Sequence, residues 1–520
     1  MHSMSYEPLS PVSFLRRSAS VFANRTAVLD GDRSLSYAEL WERSRSLAGM
    51  LAAAGVDRGD RVGVLAPNSE MALTAHFAVP LAAAVLVPLN FRLTATELAF
   101  ILDRSGVEVL LCTEDLRPLA LDVAAQAAGE VAIFDEGEVE RGSSSSAALE
   151  LALEDELELL SINYTSGTTG VPKGAMYHYR GAYLQGLAMA FHAGLDARSV
   201  FLWIVPMFHC HGWCFTWGAT AAGATHLCLR KVEPAEIWDT IECQGVTHLA
   251  AAPTVLTALA NHPDARLIEG RVVKALTGGS PPSPTLLARL GELGIDVTHL
   301  YGLTESYGPM MLCDWDPSWD ELSLGQRARR KARQGVNNVI AEAPRIVDGD
   351  GVDVPADGAT MGELVLRGND LMLGYYDDEE ATAAAQLDGW FRTGDVGVRH
   401  SDGYVELRDR SKDMIVSGGE NITSVEVEQA IASHPAVLEV AVVGVPDAKW
   451  GERPAAYVTL KDGASANEEE IIGHVRGLLA SYKAPREVVF VDKLPKTSTG
   501  KILKYGLRET AWQGRDRNIA

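Results

Sequence analysis

Tyr164-Thr165-Ser166-Gly167-Thr168-Thr169-Gly170-Val171-Pro172-Lys173-Gly174 follows directly on the apolar stretch 159–162. Hydroxyls donate, glycines let backbone amides approach, and a lysine adds charge, which are the ingredients of a loop that cradles a polyphosphate. The P-loop pattern does not fit. Counted from Gly167, Pro172 stands where that pattern needs glycine, and Gly174 where it needs Ser or Thr. On composition alone an ordinary Gly/Ser/Thr surface loop stays open. His209-Cys210-His211-Gly212-Trp213-Cys214 has metal-like residue types, but Cys228 and Cys243 stand alone and no second pair follows at zinc spacing. Buried thiols are expected there. Lys501 lies in a Pro/Ser/Thr/Gly-rich stretch with no amphipathic helix around it, and by itself reads as a solvated tail lysine.

The elements that must position these residues alternate between strands and helices. Residues 61–66, 107–112 and 248–253 read as strands and residues 37–54 as a helix, a pattern of layered α/β structure with mostly parallel strands. Residues 71–89 carry no Asp, Glu, Lys or Arg but contain Pro80 and Pro88, so a buried helix to about Val79 and then a buried strand are expected in place of a membrane span. Residues 137–147, with four consecutive serines, read as an exposed loop. From Glu363 the texture turns to Gly-rich strands, with Asp402-Gly403 as a hairpin turn. After Arg410 a compact α+β unit is expected: a helix capped by Thr423 and Glu426, strands at 438–443 and 454–460, and a helix capped by Ser465 and Glu468 whose apolar face is Ile471, Val475, Leu478 and Leu479. The fold class is therefore α/β, with a large multi-subdomain N-terminal region (layered α/β plus a small β-barrel) and a small mobile α+β C-terminal domain. The domains run 1–409 and 413–520, with 410–412 as hinge.

At 520 residues, 47% apolar and 22% charged, the chain can bury several cores, and disorder as its dominant state is excluded. A net charge of −23 argues against nucleic acid or anionic lipid as partner. Six cysteines make no disulfide framework, so a reducing compartment is expected. Arg16-Arg17 lacks the apolar run of an export signal, and Asn518-Ile519-Ala520 is no peroxisomal or retention address. A cytoplasmic location follows as the expectation.

Further motifs accompany the loop in a fixed order: Thr277-Gly278-Gly279-Ser280, His299-Leu300-Tyr301-Gly302-Leu303-Thr304-Glu305, Gly389-Trp390-Phe391-Arg392-Thr393-Gly394-Asp395, Asp409-Arg410-Ser411-Lys412, Gly418-Gly419-Glu420 and Pro495-Lys496-Thr497-Ser498-Thr499-Gly500-Lys501. Together they resemble the signature of the adenylate-forming (ANL) superfamily, and within it the acyl-CoA synthetase and fatty-acid–CoA ligase family. The resemblance covers essentially the whole chain. It implies an ATP-dependent acid–CoA ligase: a carboxylate attacks the α-phosphate of ATP, pyrophosphate leaves, and the acyl group then passes to the CoA thiol. Both reactants of the first step are anions, so charge neutralisation and alignment carry the catalysis.

The resemblance also implies roles. Thr165, Ser166, Gly167, Thr168, Thr169 and Lys173 would surround the phosphates, Glu305 would hold Mg²⁺, and Thr304 would lie beside the α-phosphate. Gly278, Gly279 and Ser280 would line the adenine edge, Tyr301 with Gly302 would meet the base, and Asp395 and Arg410 the ribose. Lys501 would enter the site for the first step, with Thr165, Glu305 and His209 as the other catalytic residues. Lys412 would be the pivot that brings Gly418, Gly419 and Glu420 to the CoA thiol. His209, His211, Trp213 and Gly302 would form the acyl pocket, with Trp213, Phe215 and Trp217 alternating as on a strand. Residues 208–215 and 327–335 and Tyr307-Gly308-Pro309 look like plant acyl-activating enzymes and bacterial methylmercaptopropionate- or medium-chain acyl-CoA ligases. Those usually carry Asn where this chain has His211. A small to medium or aryl monocarboxylic acid is the expected substrate, with a stand-alone enzyme loading a separate acyl carrier protein as the alternative and room left for a homodimer.

Overall fold

The structure is a computed structural model that describes residues 6–143, 149, 153–165, 172–418, 420–447, 449–497 and 501–512. The expected phosphate-loop residues Ser166, Gly167, Thr168 and Thr169, and Gly419 of the CoA motif, lie outside the described residues.

Two sheets dominate the N-terminal region. In the first, Ile295–Leu303, Val273–Thr277, His248–Ala251, Val200–Trp203, Thr225–Cys228 and Thr26–Asp30 run parallel in that spatial order. Antiparallel strands close both ends: Gly308–Leu312 then Val336–Asn337 on one side, Arg33–Ser36 on the other. In the second sheet Ala132–Asp135, Val107–Cys112, Arg61–Leu65, Val85–Leu89 and Leu159–Tyr164 are parallel, and Gly174–His178 folds back on the last of them. One apolar cluster spans both sheets and includes Val28, Val64, Leu160, Tyr177, Trp203 and Trp217. The helix Glu70–Leu81 belongs to it, and all its residues are buried, which explains why the sequence there is apolar on every side. It runs two residues past Val79, with Pro80 in its last turn.

Glu70 opens that helix and is itself buried. Arg33 and Arg43 reach its carboxylate at 3.1 and 2.9 Å, and its amide donates to Asp30, whose carboxylate holds Arg230 through two 3.0 Å bonds. The stretch read as a loop starts instead as a helix, Glu136–Ser143, whose Glu140 joins Arg33 and Arg43. Residues 144–147 of that stretch are not described.

Beyond the two sheets lies a five-stranded antiparallel sheet of Arg345–Val347, Gly362–Leu366, Trp390–Arg399, Gln386–Leu387 and Val405–Arg410, standing where the small barrel was expected. The Asp402-Gly403 turn joins two of its strands as read. The C-terminal sheet pairs Val437–Asp447 with Gly451–Leu460 along their whole length and packs the helices Ser424–Ala432 and Glu468–Leu478 on its apolar face. Both expected caps move. Thr423 makes no side-chain cap; Asp409 receives the Ser424 amide at 2.5 Å, and Glu426 is taken by Lys483 at 2.7 Å. The second helix begins two residues later than read, at a capping box of Asn467 and Glu470, and Leu478 is exposed. Replacing Asp409 with alanine should therefore cost about 1–2 kcal/mol of stability, read as a lower urea midpoint at unchanged slope.

Candidate active site

The parallel strands of the first sheet all end on one side, and the chain leaving those ends carries several of the motif residues. Val273–Thr277 ends at Gly278, Val200–Trp203 leads to His209, and Ile295–Leu303 leads to Thr304 and Glu305. In open α/β sheets that is where ligands bind. Leu159–Tyr164 brings Thr165 from the second sheet, and the Thr165 amide bonds the Lys173 carbonyl at 2.9 Å before the chain returns as Gly174–His178. The loop is thus closed by a hairpin; it does not run into a helix, which is the structural reason it departs from the P-loop pattern.

Glycine at 302 is fixed by backbone contact. A Cβ there would lie 1.8 Å from the Gly308 carbonyl oxygen, across the turn that carries Thr304 and Glu305. Tyr177 donates to the Thr304 carbonyl at 2.5 Å, and the Met372 amide bonds the Glu305 carbonyl at 2.8 Å. Tyr375 donates to Glu305 Oε1 at 2.7 Å, and its ring lies 5.0 Å beneath the Lys173 ammonium. Tyr375 therefore joins the carboxylate to the lysine. It was missed in the sequence, where the only signal is an aromatic pair after Gly374.

On the opposite side, buried Asp395 receives the Tyr301 hydroxyl at 2.6 Å and pairs with Arg410 Nε at 3.2 Å. Lys501 joins this group. Residues 496 and 502 bridge, and the Lys501 amide bonds Thr497 Oγ1 at 3.0 Å. Burial, then the charge of Arg410, lowers its pKa to about 7 against the pull of Asp395 and Asp413. His209 is pushed down to about 4 by burial and by the Lys501 charge, so the two residues share one electrostatic environment. The structure thus brings together Tyr301, Asp395, Arg410, Lys501 and His209. The CoA-motif residues stand apart: Gly418 and Glu420 are exposed, and the Gly418 amide bonds the Trp450 carbonyl at 2.8 Å.

The segment after His209 is not a strand, which corrects the alternation read for Trp213, Phe215 and Trp217. Cys210, His211, Gly212, Trp213 and Cys214 all have φ between +48° and +60°, a left-handed turn that leads into the helix Phe215–Ala222. Such backbone costs roughly 1–2 kcal/mol for each residue with a Cβ. It is held by the Cys214 amide on the Cys210 carbonyl at 3.0 Å, by Thr216 Oγ1 on the His211 carbonyl at 3.2 Å and by Cys214 Sγ on the Tyr307 carbonyl at 3.5 Å. Gly212 within it faces Trp203, whose ring a Cβ would meet at 2.2 Å. Cys210 and Cys214 are buried thiols, as expected. Among the described residues no group of three or more His, Cys, Asp or Glu could hold a metal ion.

Residues 15–376 match the AMP-binding enzyme family, and residues 426–501 its C-terminal domain. The chain belongs to the AMP-binding enzyme family. An acetate–CoA ligase and a 2-methylpropanoate–CoA ligase, both of Humulus lupulus, are each 41% identical over 98% of this chain and 96% of their own length. The crystal structure of an anthranilate CoA ligase in complex with anthranoyl-AMP superposes with a TM-score of 0.90 at 26% identity, covering 98% of each chain. The protein is an acyl-CoA synthetase, an ATP-dependent acid–CoA ligase that works through an acyl-adenylate. ATP and CoA are its substrates, and Mg²⁺ is the family's general requirement. A large N-terminal part and a small C-terminal part make up the mixed α/β fold of this family, and among the described residues no helix is long and apolar enough to cross a membrane.

Proposed function

We propose that the enzyme activates a short or aryl monocarboxylic acid at the ends of the first sheet and transfers it to free CoA. The reading rests on the bonded group Tyr301, Asp395 and Arg410, whose charges act on Lys501 from the C-terminal end of the chain, and on the Lys501 charge acting in turn on His209. Lys501 and His209 flank the substrate carboxylate, one as an ammonium, the other as a neutral hydrogen-bonding ring. A carboxylate oxygen forms a bond to the α-phosphorus, the bond to the bridging oxygen breaks, and pyrophosphate departs with the electron pair. Thr165 and Lys173, with Ser166, Gly167, Thr168 and Thr169, hold the β- and γ-phosphates. Gly278, Gly279, Ser280, Tyr301 and Gly302 hold the adenine, Asp395 and Arg410 the ribose, and Thr304 the α-phosphate.

Glu305 fits a Mg²⁺ ion bound with the nucleotide. It offers a single hard carboxylate, oriented by Tyr375, and Mg²⁺ is commonly bound through one carboxylate plus substrate phosphates. When bound, the ion neutralises phosphate charge. The second step uses a different arrangement, in which residues 413–520 turn about 410–412, with Lys412 as pivot, and Gly418, Gly419 and Glu420 line the path of the thiol. Trp213, His211 and His209 border the acyl chain. The names of the similar ligases support short and branched acids, and a CoA acceptor in preference to the pantetheine of a separate carrier protein. The six unpaired cysteines support a reducing compartment, the cytoplasm.

Two tests follow. Pyrophosphate release across a panel of acids, with and without CoA, should become catalytic when CoA is added, with acyl-CoA detected by mass. Release that ignores CoA would favour the carrier-loading alternative. Because Lys501 acts as an ammonium and its pKa is lowered to about 7, kcat/KM for adenylation should fall as pH rises through that value. Lys501→Arg should remove that limb, whereas a wild-type profile flat to pH 9 would contradict the role.

A further inference from the structure

One layer behind the reaction centre lies a set of buried polar side chains that includes His211, already placed beside the acyl chain. Tyr177, which holds the Thr304 carbonyl, has its ring 5.5 Å from that of His211. His211 is fully buried, with Trp217 at 4.6 Å and His76 edge-on at 5.0 Å. The left-handed turn directs this histidine inward, two residues after His209.

The hydrogen bonds assign both ring tautomers. His211 Nε2 lies 2.7 Å from Ser161 Oγ and 3.0 Å from Asn163 Nδ2. With the Asn163 amide oriented so that Nδ2 donates to Ser161 Oγ and to His211 Nε2, Nε2 accepts and the proton of His211 sits on Nδ1. His76 Nδ1 lies 2.7 Å from the Ala72 carbonyl, which only accepts, so His76 carries its proton on Nδ1 and a lone pair on Nε2, near the Met207 carbonyl. Three of these atoms have no partner: His211 Nδ1–H, a donor, and His76 Nε2 and Asn163 Oδ1, both acceptors. Neither ring escapes by ionising, since burial holds His76 at about 4 and pushes His211 well below the ordinary histidine value. Buried donors and acceptors without partners carry the full cost of desolvation, and native cores contain few of them. Here three occur together, one residue layer behind Thr304 and His209.

We propose that this cluster is the specificity pocket for the tail of the acid and that it takes a hydroxyl group, making the preferred substrates short hydroxy acids. A hydroxyl both accepts, from His211 Nδ1–H, and donates, to His76 Nε2. A keto oxygen could satisfy only the donor, and a methyl group neither. A charged tail group would find no counter-charge among the side chains named. This inference rests on the ligase reading and narrows its substrate class.

The test compares matched pairs in which a hydroxyl replaces a terminal methyl group: 4-hydroxybutyrate against pentanoate, and 5-hydroxypentanoate against hexanoate. For each pair the ratio of kcat/KM for pyrophosphate release is taken in wild type, His76→Leu and His211→Asn. A ratio within one preparation cancels any loss of folded protein. The wild type should favour the hydroxy acid in at least one pair by about tenfold or more, and His76→Leu should bring that ratio near one. Wild-type ratios near one in both pairs, or ratios unchanged in both variants, would overturn the proposal and leave the cluster to a buried water only. Those results would leave the ligase reading standing if pentanoate and hexanoate were still turned over. Failure of every acid, acetate and benzoate included, would overturn both.

Discussion

Lys501→Ala should lower acyl-adenylate formation by about 10²–10³-fold while leaving thioester formation from supplied acyl-adenylate within a few-fold of wild type. A positive charge placed where two anions meet acts mainly in the transition state of the first step, and its removal typically costs ~3–4 kcal/mol. The residue is not replaceable from nearby: Arg410 is already engaged with Asp395, and burial, the larger cause of its lowered pKa, disfavours a charged His209 even without Lys501. The second step requires no such charge, because its electrophile is already the activated adenylate. Both half-reactions are measured separately, the first by pyrophosphate release in a single turnover and the second by acyl-CoA formation from synthetic acyl-adenylate. Equal losses in the two would show that Lys501 supports the fold or both arrangements, not the first transfer.

The second large effect is expected at Lys412. The strand Val405–Arg410 ends in a turn in which the Asp413 and Met414 amides both bond the Arg410 carbonyl, and the Lys412 carbonyl accepts from Arg508 at 3.1 Å. Arg508 also pairs with Asp413, so the turn is tied to the helix Lys504–Trp512 of the C-terminal part. In this arrangement Lys501 feels the charges of Arg410 and Asp395, whereas Gly418 and Glu420 are exposed. On the proposed reading the two sets of residues serve one site in sequence, by rotation of backbone near 410–412. Proline at 412 fixes φ near −65° and restricts that rotation. Lys412→Pro should leave adenylation within about fivefold and reduce CoA-dependent turnover by about 10²-fold, so that acyl-adenylate accumulates on the enzyme. Normal rates in both half-reactions would remove the hinge from 410–412.

The parallel strands were legible because they are buried on both faces and read as short apolar runs, 61–66 and 107–112 among them. The residues proposed to meet the nucleotide were picked out because they stand in recognisable motifs, and some of them, Gly278 and Thr304 among them, lie just past a strand end. What was hidden depends on contacts between distant segments. Trp213, Phe215 and Trp217 alternate in sequence as a strand would, yet the chain turns left-handed there because bonds from Thr216 to the His211 carbonyl and from Cys214 to the Tyr307 carbonyl hold it so. Tyr375 lies 70 residues from the Glu305 it orients, a pairing no local pattern encodes. The cap at Ser424 comes from Asp409 across a turn, so the nearer Thr423 and Glu426 gave a locally sound but wrong assignment. The His76, Asn163 and His211 cluster joins three segments in the same way; only the departure at His211 was visible beforehand.

The most direct test of the central claim follows the oxygen atoms. Supplied with ATP, CoA and an acid labelled with ¹⁸O in both carboxylate positions, the enzyme should produce AMP carrying one ¹⁸O, because the carboxylate oxygen that bonds the α-phosphorus stays with it when the thiol displaces AMP. Unlabelled AMP, or ¹⁸O in inorganic phosphate with ADP as the nucleotide product, would mean that activation does not pass through an acyl-adenylate, and the roles given to Lys501, His209 and Thr304 would fall with it.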